Sequence, residues 1–128
     1  MAIRVVQLGS PRTPGEGLRI GTVRRPPRGV PKSAFASRDY YDVWLPELAP
    51  SDQLVKAGQG ASNDREWQTF VKRYRAEMKQ PAAVRLLDLL AALSQRTALA
   101  VGCYCEDEAR CHRSVLRVIL QEHGARLE

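Results

Sequence analysis

The chain has 128 residues, a length typical of one domain, and its 44% hydrophobic and 27% charged residues are ordinary for a soluble globular protein. No stretch approaches the ~20 apolar residues that a membrane-spanning helix needs, and the N-terminus lacks the pattern of a secretory signal. The three cysteines are clustered between positions 103 and 111, which disfavours a secreted disulfide framework and predicts a reducing, cytoplasmic location. The net charge of +6 is only weak support for a nucleic-acid partner.

The first half of the chain alternates short apolar segments with loops. Residues 3–8 and 18–23 are predicted strands, although Gly21 weakens the second one. Residues 24–31 contain three prolines and three arginines, so we expect an irregular basic loop of the kind that often carries function. Residues 40–50 are aromatic and apolar, and we expect them to be packed.

The second half is predicted to be mostly helical. Residues that commonly begin helices stand at three places, namely Ser51, Asn63 or Asp64, and Pro81. They predict a short helix over 52–56 and longer ones over 64–78 and 81–95. Residues 97–102 are almost wholly apolar and predict a strand buried on both faces. A last helix is predicted over 111–123, because a glycine follows as a natural stop. The two long helices predict these core residues: Trp67, Phe70, Val71, Tyr74, Met78, Val84, Leu87, Leu90, Ala91 and Leu93.

Strands interleaved with helices favour the α/β class. We predict a small single-domain α/β sandwich over residues 1–128, Rossmann-like, with a mostly parallel sheet flanked by helices. Right-handed crossovers would then bring the loops after Val23 and Gly102 to the same edge of the sheet. Ligands of open α/β sheets bind at such an edge.

The eleven residues from Cys103 to Arg113 carry most of the chain's chemistry and join the predicted strand to the last helix. A helix N-terminus binds anions through its backbone N–H groups, whereas cations placed there are disfavoured. The arginines at this helix therefore suggest an anion from outside. Four candidate anion ligands follow, Arg110 and Arg113 from the motif and Arg24 and Arg28 from the proline loop.

The positions of the acidic residues bear on this hypothesis and on a simpler one, in which the arginines pair with acids of the chain itself. The fourteen residues from Arg19 to Lys32 contain no acid, which leaves the proline loop cationic. In the motif, however, Glu106, Asp107 and Glu108 offer an alternative, since they could satisfy the helix terminus and pair with its arginines. Both interpretations stay open at this point.

The cysteines also allow two interpretations. A thiol near a helix N-terminus and beside His112 could have a lowered pKa and act as a nucleophile, which makes Cys105 and Cys111 catalytic candidates with His112 as acid or base. Free cysteines are also among the most buried residue types, and for Cys103 we expect that structural role. No metal or cofactor is predicted, because zinc ligands are commonly cysteines paired two to four residues apart, whereas here one residue and then five residues separate them. Cys111 and His112 are adjacent, and neighbouring side chains rarely point at one ion unless the backbone bends. The chain also lacks the spacing of a phosphatase loop, in which five residues separate the cysteine from the arginine.

Five stretches match a known pattern in order along the chain: 19–24, 27–32, 44–51, 67–77 and the Cys-His-Arg of 111–113. In them the chain resembles the family of unknown function DUF488, particularly its short YeaO-like branch. The resemblance implies a compact α/β domain and brings no established activity. YeaO-like chains usually carry an aspartate at the position of Val23, whereas the Cys-His-Arg motif is typical of the wider family.

These observations lead to one functional hypothesis and two alternatives. The first is a protein that binds a phosphate-bearing or other anionic ligand, such as a nucleotide, at residues 103–113, as a hydrolase or transferase if the cysteines and histidine react. The alternatives are a non-catalytic nucleic-acid or nucleotide binding module and a cysteine redox sensor. The sequence does not decide whether the chain is an enzyme, and it leaves the oligomeric state open. We expect no membrane partner.

Overall fold

The computed structural model describes residues 2–107 and 111–128. Its four strands form one parallel sheet in the order β1-β4-β2-β3, comprising β1 (Ile3–Gln7), β2 (Leu18–Gly21), β3 (Val43–Trp44) and β4 (Leu99–Cys103). The predicted α/β class and parallel pairing are confirmed. None of the helices in the described ranges is long and apolar enough to cross a membrane.

Strand β4 lies at the centre of the sheet, as its continuous apolar sequence predicts. All five of its residues are buried. Leu99 is in register with Ile3 of β1 on one side and with Leu18 of β2 on the other. The segment after β4 therefore leaves the sheet beside the segment after β2, because parallel neighbours end at the same edge.

The helices are α1 (Asp52–Gln59), α2 (Asp64–Glu77), α3 (Pro81–Ser94) and α4 (His112–Glu122). The Ser51 hydroxyl accepts from the Leu54 N–H and the Asn63 side chain accepts from the Glu66 N–H, so both predicted caps are confirmed. These bonds satisfy N–H groups that have no partner within the helix. Short 3-10 turns at Lys32–Ala34 and Pro46–Leu48 interrupt the long connections.

The main core lies where all four helices contribute side chains against Ile3, Ile20, Leu99 and Val101 of the sheet. Most of the predicted core residues are buried there. Leu93 is a wrong prediction, because its side chain is 38% exposed. The neighbouring Ser94 is buried instead, and its hydroxyl donates to the Ala91 carbonyl.

Residues 40–50 contribute the edge strand β3, which the sequence predicts only as packed chain. Gly21 permits the packing of Tyr41, since a Cβ at that position would lie 2.4 Å from the Tyr41 ring. The glycine that weakens the predicted strand is thus required by the ring beside it. Tyr41 belongs to a second, smaller buried cluster together with Leu8, Val23, Cys103 and Cys111.

Candidate functional site

A cavity of about 460 Å³ opens where the segments after β2 and β4 meet. The proline loop forms one wall, and Cys103 and Tyr104 at the end of β4 form another. The Tyr104 hydroxyl donates to the Arg25 carbonyl at 2.8 Å, which ties the two segments together. Helix α1 contributes Asp52 to the lining. This volume lies within the usual range for sites of small ligands.

The arginines of this cavity differ in what they contact. Arg24 donates from Nε to the Pro50 carbonyl and from a terminal nitrogen to the Ala49 carbonyl, both at 3.1 Å. Carbonyl oxygens carry no net charge, so the positive charge of Arg24 is not neutralised by them. Arg25 forms an ion pair with Asp52 at 2.9 Å. Arg28 is exposed and makes no hydrogen bond or ion pair within the described part of the chain.

Two buried thiols and one imidazole converge at Cys103, which lines the cavity. The sulfurs of Cys103 and Cys111 are 2.6 Å apart and both cysteines are free. Cys105 is also free, but it is exposed. The Nδ1 of His112 lies 3.7 Å from the Cys111 sulfur. Sequence spacing does not predict this convergence, because β4 and the start of α4 come together only in the folded chain.

The comparison with protein families agrees with this fold and motif. Residues 3–124 match the family model DUF488-N3a, which is described as the active DUF488-N3 subclade. The chain belongs to the DUF488 family. The resemblance is thereby confirmed, whereas the YeaO-like branch stays a prediction. Searches of curated proteins and of solved structures found no match.

In this DUF488 member, His112 is buried and its position is fixed by β2. Its Nε2 lies 2.7 Å from the Thr22 carbonyl oxygen, and the Tyr74 ring packs edge-on at 5.6 Å. Burial lowers the pKa of His112 to about 4, despite the hydrogen bond to Thr22 that acts in the opposite direction. At neutral pH the imidazole is therefore uncharged.

The three thiols differ in their tendency to ionise. Hydrogen bonds from the thiols of Cys103 and Cys111 lower the pKa of Cys105, and the charge of Arg113 acts in the same direction. The same interactions with Cys105 and Cys111, together with burial, raise the pKa of Cys103. Negative charge in the cluster therefore settles on the exposed sulfur, where water and cations stabilise it.

Arg113, a predicted anion ligand, is only 4% exposed. A terminal nitrogen of its guanidinium donates to the Cys105 carbonyl, which holds the loop against helix α4. Its Nε has no hydrogen-bond partner among the described residues. Arg110, the other predicted ligand in the motif, lies outside the described residues, as does Glu108.

The structure thus brings Arg24, Arg28, Cys103 and Tyr104 to one cavity. Cys111 and His112 lie behind Cys103 and are not among the described residues that line this cavity, and neither is Cys105. Cys103 is buried, as the sequence predicts. Its contact with Cys111 was not predicted, because no local pattern links the end of β4 to the start of α4. The Thr22 carbonyl that orients His112 carries no signal in the sequence.

Proposed function

We propose that this DUF488 member binds a phosphate-bearing or other small anionic ligand in the cavity between the proline loop and the end of β4. One observation carries the proposal, the charge of the lining. Three arginines (Arg24, Arg25 and Arg28) contribute to the wall, and among the lining residues that the structure describes Asp52 is the one carboxylate. Because Asp52 pairs with Arg25, the charges of Arg24 and Arg28 are available to an anion.

Arg28 is the residue that we propose to meet the anion directly, because it is exposed and lines the cavity. A hydrogen bond between charged groups contributes about 1.5–3 kcal/mol. Arg28→Ala should therefore weaken binding of inorganic phosphate or a nucleoside monophosphate about 10- to 100-fold, as measured by calorimetric titration. Arg38→Ala is the matched control, since Arg38 is also exposed but does not line the cavity. Equal effects of the two substitutions would contradict the proposal.

Asp52 supplies a test in the opposite direction. Asp52→Asn removes the carboxylate that neutralises Arg25, and we expect phosphate to bind several-fold more tightly. Raising the salt concentration should reduce this gain, because screening weakens the added attraction. Weaker binding after Asp52→Asn would argue against electrostatic recognition in this cavity.

The description of the subclade as active favours a catalytic form of the proposal, a hydrolase or transferase. In that form Cys105 is the nucleophile, because it is the exposed thiol of the cluster. The Cys105 thiol gives its proton to water, and its sulfur bonds to the electrophilic atom of the ligand while the bond to the leaving group breaks. The leaving group keeps the bonding electrons and takes a proton from water. A water molecule or another acceptor then attacks the same atom and loses a proton, the bond to sulfur breaks, and the sulfur takes up a proton again.

Cys111 and His112 support Cys105 in this scheme from behind the cavity wall, since both are buried. The catalytic form predicts that iodoacetamide modifies Cys105 first and that bound phosphate slows the modification. Mass spectrometry identifies the alkylated residue, and Cys105→Ser is the control that removes the fast reaction. If bound phosphate does not slow the alkylation, the catalytic form is wrong and only the binding of an anion remains proposed.

We also propose that the protein is cytoplasmic and that it belongs to the YeaO-like branch of the family.

A further inference from the structure

Three metal-binding atoms converge behind the cavity. The sulfurs of Cys103 and Cys111 and a ring nitrogen of His112 all lie within 4.8 Å of one another. Two thiolates and an imidazole are a donor set that zinc prefers among the common biological cations. All three residues are buried, so their relative positions are set by β4 and α4 rather than by a loose surface loop.

The orientation of His112 fits a metal ligand. A carbonyl oxygen only accepts hydrogen bonds, so the 2.7 Å contact with the Thr22 carbonyl puts the ring proton on Nε2. The Nδ1 then carries a lone pair, and this atom faces the Cys111 sulfur at 3.7 Å. Histidines that bind metals characteristically donate their other N–H to a carbonyl or carboxylate, which fixes the tautomer and the direction of the ring.

The backbone explains how adjacent residues serve one site. Cys111 is extended, with φ −128° and ψ 152°, whereas His112 is the first residue of α4. The chain therefore turns from extended to helical between the two side chains. This bend removes the objection that neighbouring residues point in different directions, on which the sequence prediction of no metal was based.

We propose that Cys103, Cys111 and His112 bind a zinc ion at the inner wall of the cavity. The inference goes beyond the anion-binding proposal and does not depend on it. Zinc–sulfur bonds of about 2.3 Å in a tetrahedron place two sulfurs roughly 3.8 Å apart. The present separation of 2.6 Å must therefore widen by about 1 Å when the ion binds.

The fourth coordination position stays open to the cavity. Cys105 hydrogen-bonds to both thiols but does not belong to the set of donors that all lie within 4.8 Å of one another, whereas Cys103 lines the cavity. An ion held by the Cys103 sulfur would thus lie where an oxygen of a bound anion or water can reach it. Three protein ligands and one open position are typical of catalytic rather than structural zinc.

The test uses the full chain, reduced with a phosphine and freed of metal by a chelator. After zinc is added back, we expect native mass spectrometry to show one zinc ion bound per chain. Titration with cobalt(II), a spectroscopic substitute for zinc, should give a sulfur-to-cobalt charge-transfer band in the near ultraviolet, which zinc then removes. Absence of both the mass increase and the band would overturn the proposal.

Substitutions distinguish ligands from neighbours. Cys111→Ser and His112→Gln should weaken zinc binding at least about tenfold, since loss of even a residue that orients a ligand commonly costs that much. Cys105→Ser is the matched control and should retain the metal. If Cys105→Ser weakens zinc binding equally, Cys105 is itself a ligand and the fourth position is not open. Circular dichroism monitors folding, and the wild-type spectrum provides a readout that needs no substituted chain.

The failures of the two proposals are distinguishable. Arg28→Ala should leave the cobalt spectrum unchanged, because Arg28 lies on the loop and not in the thiol cluster. If zinc does not bind while phosphate binds in an Arg28-dependent way, only the metal inference fails. A reduced chain that quickly forms a disulfide between Cys103 and Cys111 in the presence of excess zinc would also contradict metal binding.

Discussion

Two arginines of the acid-free segment 19–32 have opposite surroundings, since one is buried and the other is exposed. Arg19 on β2 is fully buried, and its guanidinium forms a bidentate ion pair with Glu16 at 2.9 Å. Its other terminal nitrogen donates to the carbonyls of Ser10 and Asp39 at 2.8 and 2.7 Å. Arg28, nine residues further along the chain, is exposed at the cavity.

The comparison teaches that a basic segment is not one functional unit. A buried guanidinium is tolerated only when acceptors surround it, because an unpaired buried charge is costly. Arg19 meets this requirement within the fold, and its complete burial keeps it out of reach of a ligand. Arg28 makes no hydrogen bond or ion pair with the residues that the structure describes, which is why we propose it as the residue that meets an anion.

The largest expected effect comes from breaking the buried pair. Glu16→Gln leaves the charge of Arg19 buried without its counter-ion, and we expect a loss of about 3–5 kcal/mol in the free energy of unfolding. Urea denaturation followed by circular dichroism measures it. Glu122→Gln is the control, since Glu122 pairs with Arg75 at the surface and such pairs contribute about 0–1 kcal/mol. Similar losses in both variants would refute the distinction between buried and exposed pairs.

Arg24 should lie between the two extremes. Arg24→Ala leaves the carbonyls of Ala49 and Pro50 without their donors, and we expect it to cost about 1–3 kcal/mol of stability. The same substitution at Arg28 should change stability by no more than about 0.5 kcal/mol. Thermal or urea unfolding of the two variants side by side checks this order, and a larger effect at Arg28 would contradict it.

Acidification is expected to change the free energy of unfolding most gradually, over several pH units. Burial opposes the ionisation of Glu16, but hydrogen bonds and the charge of Arg19 outweigh it, so the folded pKa lies below the usual 4.5. Stability from this carboxylate is therefore present above about pH 4.5 and is lost as the pH falls through the lowered pKa. The slope for one proton cannot exceed about 1.4 kcal/mol per pH unit.

Urea unfolding between pH 7 and pH 3 checks this dependence. Asp42 contributes in the same sense, because Arg12 and the Arg19 N–H hold its pKa below the usual value against the opposing effect of burial. The slope should be shallower in Glu16→Gln, in which one of the two titrating groups is removed. An unchanged slope in that variant would show that Glu16 does not titrate as the ion pair implies.

Local patterns account for what the sequence predicts correctly. The capped starts of α1 and α2, the continuous apolar run of β4 and the α/β class depend on neighbouring residues and on periodicity, which are visible in one dimension. Leu93 shows where this reasoning stops. A broad apolar face on α3 does not say which of its edges the rest of the domain covers, and Leu93 lies on an exposed one.

The sequence by itself determined the class of fold, the central strand and the segment in which the three cysteines and His112 lie. Only the tertiary structure decided which arginines are neutralised and which side chains meet. Arg19 finds its partners through chain reversals that bring Ser10 and Asp39 together, and His112 is oriented by a carbonyl ninety residues away. Hydrogen bonds and ion pairs act over a few ångströms in space, and separation along the chain carries no information about that distance.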